Sequence, residues 1–223
     1  MILLDCNAIA SKVRFGMDHV MLTAGEMRTE VIFGFLRQLL LLAKQKKDIR
    51  DRMVFVWDSR YYHRFEYCPE YKQKRKKELT EWEEERDVIS YEQFDLLRQE
   101  ILPAMGFRNV FRLHGYEADD VIAVLCKGNA EEKITIVTTD QDLYQLLTDN
   151  VSFYNLRTKV LYTRQQFTRD YGITPKQWVD VKAYGGCVSD NVKGIKGVGE
   201  KTMCKYILKQ LNFTGAMVGR LAK

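Results

Sequence analysis

Three short β-rich runs along the chain each give way to an aspartate. They are Ile2-Leu3-Leu4 before Asp5, Met53-Val54-Phe55-Val56-Trp57 before Asp58, and Ile134-Thr135-Ile136-Val137 shortly before Asp140. Continuous apolar runs of this length read as parallel strands buried on both faces. Between the first two, Glu26 to Gln45 carries Val31, Phe35, Leu39 and Leu42 at helical spacing. Further helical segments separate the later runs. This alternation predicts an α/β core with a mainly parallel central sheet flanked by helices. In open sheets of that kind ligands gather beyond the carboxyl ends of the strands, where these aspartates fall.

Two stretches break the pattern. Tyr71 to Glu100 is expected to be helical, strongly charged and poor in core residues until Phe94, as a solvated surface helix would be. The last forty residues run from Tyr184-Gly185-Gly186 through Gly194-Ile195-Lys196-Gly197-Val198-Gly199-Glu200-Lys201-Thr202 into an amphipathic helix near Met203 to Gln210.

Composition narrows the chemistry. The 223 residues suffice for a sizeable core, and 35 Lys and Arg against 30 Asp and Glu leave a net charge of +5. Five cysteines without a Cys-x-x-Cys argue against a disulfide framework and a four-thiolate zinc site, and three histidines leave little for histidine metal chemistry. The apolar run Leu39 to Ala43 is far short of a membrane span, and the opening lacks a basic signal-peptide region. An intracellular, cytoplasmic protein without membrane attachment is expected. Carboxylates remain as the reactive groups.

A single Asp after a strand ordinarily caps the next helix. Here Asp5, Asp58 and Asp140 are joined by Asp142 and by Glu117-Ala118-Asp119-Asp120, which opens a helix with Glu117 and Asp120 on one face. Gathered at one sheet edge, such groups cannot all stay ionised without counter-charge. Hard divalent cations supply it through oxygen ligands. Nearby, Arg60 to Arg75 interleaves aromatics with Lys and Arg, as a surface that stacks on bases and contacts phosphates would. Metals held by carboxylates beside cations are the requirements of phosphodiester cleavage. The glycine-rich stretch is not an ATP-binding loop, because Glu200 stands where that pattern demands Lys and no strand precedes it. It reads as a tight hairpin between helices, its backbone N–H groups facing a phosphate with Lys193, Lys196, Lys201 and Lys205 around it.

Together, Asp5, Asp58, Glu117-Ala118-Asp119-Asp120, Thr138-Thr139-Asp140-Gln141-Asp142 and Ser189-Asp190-Asn191 leading into Gly194 to Thr202 resemble the 5′-nuclease or flap endonuclease family. The likeness is to the bacteriophage 5′-3′ exonuclease type and to the 5′-nuclease domain of bacterial DNA polymerase I, from about Asp5 to Leu208. The resemblance implies an α/β nuclease core over residues 1–180, with a helical arch at about 68–100 that passes single-stranded 5′ ends. It implies a helix-three-turn-helix element over 181–223 that binds duplex DNA and often K⁺ at 194–199. Asp5, Asp58, Glu117, Asp119, Asp120 and Asp140 resemble ligands of a first Mg²⁺ or Mn²⁺, and Asp142 and Asp190 ligands of a second. Lys72 and Arg75 resemble arch-base cations on the scissile phosphate, and Tyr71 an aromatic that stacks near the reacting nucleotide. Lys193, Lys196, Gly197, Gly199, Lys201, Thr202 and Lys205 resemble the duplex grip.

One position departs from the family pattern Gly-Asp-x-x-Asp-Asn. This chain reads Gly186-Cys187-Val188-Ser189-Asp190-Asn191, with Cys187 where an aspartate ligand belongs. A thiolate is a poor partner for Mg²⁺, so a weakened second site is expected, the alternatives being a softer ion such as Mn²⁺ or drift towards binding without efficient cleavage. The reading is therefore a metal-dependent, structure-specific 5′-nuclease, with both 5′-3′ exonuclease and flap endonuclease action. It would work as a monomer on DNA with 5′ flaps or free 5′ ends, RNA-primer hybrids included, in replication or repair. The alternatives are a junction-binding relative with little cleavage and a single-strand ribonuclease, the latter disfavoured by the duplex-gripping hairpin.

Overall fold

The computed structural model describes residues 1–17, 19–45, 52–59, 62–72, 80–187 and 190–211. In chain order its elements are β1 (Ile2–Asp5), α1 (Cys6–Gly16), β2 (Thr23–Ala24), β3 (Met27–Arg28), α2 (Glu30–Gln45), β4 (Met53–Trp57), α3 (Arg64–Tyr67), α4 (Glu81–Leu96), α5 (Leu102–Ala104), β5 (Val110–Arg112), α6 (Ala118–Gly128), β6 (Ile134–Val137), β7 (Val151–Asn155), β8 (Val160–Tyr162), α7 (Arg164–Tyr171), α8 (Trp178–Gly185) and α9 (Glu200–Ile207). A π turn, Leu97–Ile101, joins α4 to α5, and 3₁₀ turns occupy Asp142–Leu146 and Pro175–Gln177. The larger sheet has the order β5-β4-β1-β6-β7-β8. Strand β1 runs parallel to β4 and β6, and β4 parallel to β5.

All three runs read from the sequence as strands are strands. Registers Asp5↔Val56 and Leu4↔Val137 bring their carboxyl ends level, so Asp5, Asp58 and Thr138 fall along one edge. The central strands bury Leu3, Leu4, Phe55, Val56, Ile136 and Val137. Helices α1, α2 and α4 pack with Leu4, Phe55 and Val137 on one face, where Phe35 stacks on Trp57 at 5.6 Å. Helix α2 starts at Glu30 rather than Glu26, because Met27–Arg28 pairs with Thr23–Ala24 as a hairpin. Helix α4 starts at Glu81 behind a Thr80–Glu83 capping box, and the expected arch at 68–100 falls partly outside the described residues.

The described residues form two compact units. The first lies within Met1–Tyr62, Glu78–Thr139 and Tyr154–Val160 and holds the parallel strands with their helices; the second lies within His63–Lys77, Asp140–Phe153 and Leu161–Lys223. The second is built on an aromatic cluster in which fully buried Phe167 and Trp178 pack with Tyr144, Tyr162 and Tyr171. The Trp178 indole N–H donates to the Gln141 carbonyl at 2.8 Å, anchoring the turn that carries Asp140 and Asp142. No helix among the described residues is long and apolar enough to cross a membrane.

Candidate active site

In the first unit, the carboxylates are fixed by the backbone they cap. Asp5 Oδ1 accepts the Ala8 N–H at 3.0 Å as the cap of α1, and Oδ2 accepts the Thr138 hydroxyl at 2.8 Å. Asp58 Oδ1 accepts the Ala118 N–H at 2.7 Å at the start of α6, while its own N–H donates to Asn7 Oδ1 at 2.9 Å. The Glu117 N–H donates to Asp120 Oδ2 at 3.0 Å. Capping and metal ligation are compatible here, since an ionised carboxylate offers about four lone-pair sites. The caps fix where those sites point. Asp5 and Glu117 are buried, and Asp58, Asp119 and Asp120 half-buried. Cys6, directly after Asp5, has its thiol pKa pushed well up by burial and then by the charges of Asp5 and Asp58, which keeps it a neutral filler.

The second unit carries the other set. Asp140 Oδ1 accepts the Asp142 N–H at 2.8 Å. Asp140 is solvent-accessible, yet enough protein surrounds it that desolvation raises its pKa; the neighbouring charges of Asp142 and Asp190 add to this and Lys182 opposes it. Ligand atoms of Asp142, Cys187 and Asp190 lie within 4.8 Å of one another. Lys182 Nζ sits 3.0 Å from Asp142 Oδ1 and 2.7 Å from Glu200 Oε1. Burial lowers the Lys182 pKa, but those two partners outweigh it and hold the ammonium above its ordinary value.

Tyr71 and Lys72 belong to this unit as well. The Lys72 N–H donates to the Asp190 carbonyl at 2.9 Å, and the Asn191 side-chain amide donates to the Glu70 carbonyl at 3.0 Å. Lys72 Nζ lies 5.1 Å from the centre of the Tyr71 ring, and the Arg64 guanidinium 5.8 Å from it. Arg75 lies outside the described residues.

Beyond Cys187 the chain turns tightly toward α9. Cys187 and Val192 exchange N–H···O bonds of 3.0 and 2.9 Å. Gly186 has φ 73°, and a Cβ there would meet the Gly194 nitrogen at 2.2 Å; a Cβ on Gly194 would meet the Gly185 carbonyl oxygen at 2.2 Å. Only glycine fits either position. Gly197 takes φ 86°, Val198 is buried, and Gly199 caps α9. Lys193, Lys196, Lys201 and Lys205 are exposed, and Thr202 is half-buried. Helix α9 covers Glu200–Ile207, shorter at its end than the expected Met203 to Gln210, where Lys209 turns to φ 57°.

Three residues that hold the candidate ligands in place carry no signal in the sequence. Thr138 and Asn7 act through partners far along the chain, and Lys182 forms its ion pairs only once α8 is packed. Cys187 is legible in the sequence as a departure at the second site, and the structure sets it beside Asp142 and Asp190.

The first unit is a parallel α/β sheet with carboxylates along its carboxyl edge, and the second carries an acidic set beside a lysine, a donor chemistry suited to hard cations. The chain belongs to the 5′-3′ exonuclease family: the family model described as 5′-3′ exonuclease, N-terminal resolvase-like domain, matches residues 1–172. DNA polymerase I of Mycobacterium tuberculosis is 32% identical over 214 residues, covering 93% of this chain and 22% of the polymerase. The 5′-3′ exonuclease of Bacillus subtilis is 45% identical over 120 residues, 52% of this chain and 40% of that protein. The chain thus spans about a fifth of the length of the polymerases it matches. The solved structure of T5 5′-exonuclease with bound zinc superposes with a TM-score of 0.81 at 21% identity, covering 99% of this chain and 83% of that one. It shares the α/β fold.

Proposed function

We propose that this chain is a divalent-metal-dependent, structure-specific 5′-nuclease, with 5′-3′ exonuclease and flap endonuclease action near single-strand/duplex junctions in DNA. The observation that carries the reading is the convergence of Asp140, Asp142 and Asp190 in one unit, with Lys72 tied by its backbone to Asp190.

Both carboxylate sets suit metal ions. Asp5, Asp58, Glu117, Asp119 and Asp120 of the first unit would hold metal directly or through water, as would Asp140, Asp142 and Asp190 of the second, with Mg²⁺ or Mn²⁺ as the ion. Bound there, such ions lower the pKa of water and neutralise charge building on phosphate and leaving oxygen. The chain's own groups do the rest. The backbone caps on Asp5 and Asp58 hold their carboxylates in fixed directions, so little reorganisation is needed when charge develops. Lys72 offers its ammonium to the scissile phosphate and Arg75 a second cation. Tyr71, backed by Lys72 and Arg64, offers a ring to the nucleotide beside it. Lys182 restrains Asp142 while leaving the region less negative.

Functionally, residues 1–180 form the nuclease portion, with an arch at about 68–100, and residues 181–223 the duplex-binding portion. Helix α8, the turn at 186–199 and α9 are proposed to be its helix-three-turn-helix element, with K⁺ at 194–199. Lys193, Lys196, Lys201 and Lys205 would contact phosphates without reading sequence, with Gly197, Gly199 and Thr202 shaping the turn. The substrates are DNA with 5′ flaps or free 5′ ends, RNA-primer hybrids among them, and a monomer suffices.

The test is cleavage of a 5′-labelled flap duplex across Mg²⁺ and Mn²⁺ concentrations, with Asp140→Asn as control. Cuts localised at the junction, absent in the variant, are expected. Tight flap binding with no cut in either metal would overturn the reading and leave a junction-binding protein.

A further inference from the structure

A family-pattern aspartate replaced by cysteine would ordinarily be counted as a lost ligand. The structure places the Cys187 thiol instead within 4.8 Å of carboxylate oxygens from both Asp142 and Asp190. Ligand atoms bound to one ion at about 2.0–2.3 Å lie at most roughly 4.6 Å apart, so three atoms within 4.8 Å of one another need to draw together only slightly to share an ion. The position of Cys187 is held by its two backbone bonds to Val192 and by the glycine-only contact between Gly186 and Gly194. We propose that Cys187 is a direct ligand, and that Asp142, Cys187 and Asp190 form a mixed thiolate–carboxylate site that takes Zn²⁺ or Cd²⁺ in preference to Mg²⁺.

The donor chemistry points the same way. Thiolate is soft and favours zinc-like ions, while two carboxylates alone would favour Mg²⁺ or Mn²⁺. Binding breaks the Cys187 S–H bond, forms the sulfur–metal bond and releases the proton to solvent. The charge of the three anionic donors is then offset by the dication and, in part, by the Lys182 ammonium that Asp142 shares with Glu200.

This deepens the proposed function and rests on it for Asp142 and Asp190 as ligands, so its test is read by spectroscopy as well as by cleavage. The full chain is titrated with Cd²⁺ and followed by ultraviolet thiolate-to-metal charge-transfer absorption. A band saturating at one equivalent is expected. It should vanish in Cys187→Ser and persist in Cys68→Ser, Cys68 being the other thiol that is not fully buried. Cys187→Ser should weaken Zn²⁺ binding by at least about 10–100-fold in chelator competition, and Cys187→Asp should shift preference toward Mg²⁺. An unchanged band in Cys187→Ser, or Cd²⁺ bound to the native chain with no band, would overturn the assignment. Should Cys187→Ser fail to fold, the native chain decides. Cd²⁺ should slow alkylation of Cys187 at least tenfold, mapped by peptide mass, and spare that of Cys68, whereas equal slowing or none refutes the site. Flap cleavage in Mg²⁺ without a Cd²⁺ band removes the thiolate site and keeps the nuclease; a band with no cleavage in any metal does the reverse.

Discussion

Asp5 spends one oxygen on the α1 backbone and the other on Thr138, and Asp58 likewise gives an oxygen to the start of α6. At these positions helix capping serves the proposed cation binding, because the cap aims the lone pairs left over. Asp140 accepts the Asp142 N–H two residues on, and desolvation, with crowding by Asp142 and Asp190 added to it, makes its charge costly. Asp140→Asn should therefore lower flap cleavage at least about 100-fold while leaving DNA affinity equal or tighter, read by cleavage against fluorescence anisotropy in EDTA. A parallel loss of binding would remove its metal role. Lys72 sits at φ 56°, a region that disfavours side chains. Lys72→Gly and Lys72→Ala should both lower turnover about 100-fold, but the glycine variant should be the more stable of the two by about 1 kcal/mol in thermal unfolding. The aspartates were legible because each follows an apolar strand run. Thr138 was not: it donates to a carboxylate 133 residues away, and no local pattern encodes that distance.

At the scale of elements, the strands and α2 follow directly from hydrophobic spacing, and the turn between α8 and α9 from its glycines. What the glycines accomplish needed coordinates, since a close backbone approach leaves no periodic signal. Gly194→Ala should lower the melting temperature and weaken the Cd²⁺ band together, because the added methyl collides with the Gly185 carbonyl. Lys196→Ala should leave the fold intact and reduce the slope of log affinity against log salt for duplex DNA by about 0.9, one phosphate's worth. At the start of α2, burial raises the Glu30 pKa, but hydrogen bonds from Arg28 at 2.8 and 3.1 Å outweigh it and the carboxyl titrates below its ordinary 4.5. A lowered folded pKa stabilises above the unfolded value and loses that contribution as pH falls through the folded one. The destabilisation by Glu30→Gln should therefore be largest near neutral pH and shrink below about pH 4, measured by urea midpoints.

For the molecule as a whole, a net charge of +5 and a pI of 8.8 favour polyanions before any specific contact forms. Raising salt from roughly 50 to 200 mM should raise KM for flap cleavage steeply and leave kcat nearly constant, as counterion release governs encounter rather than chemistry. The α/β class was legible in the sequence, whereas the way residues from distant stretches share a unit was not. The pairing of Asn191 with Glu70 spans 121 positions, and it accompanies the bond from Lys72 to the Asp190 carbonyl. That shared backbone joins the lysine proposed to hold phosphate to the aspartate proposed to hold a cation. Binding equilibria at the two are then linked, and linkage is reciprocal. By whatever factor a cation on Asp190 tightens the grip of Lys72 on a phosphate, the phosphate must tighten the cation by the same factor.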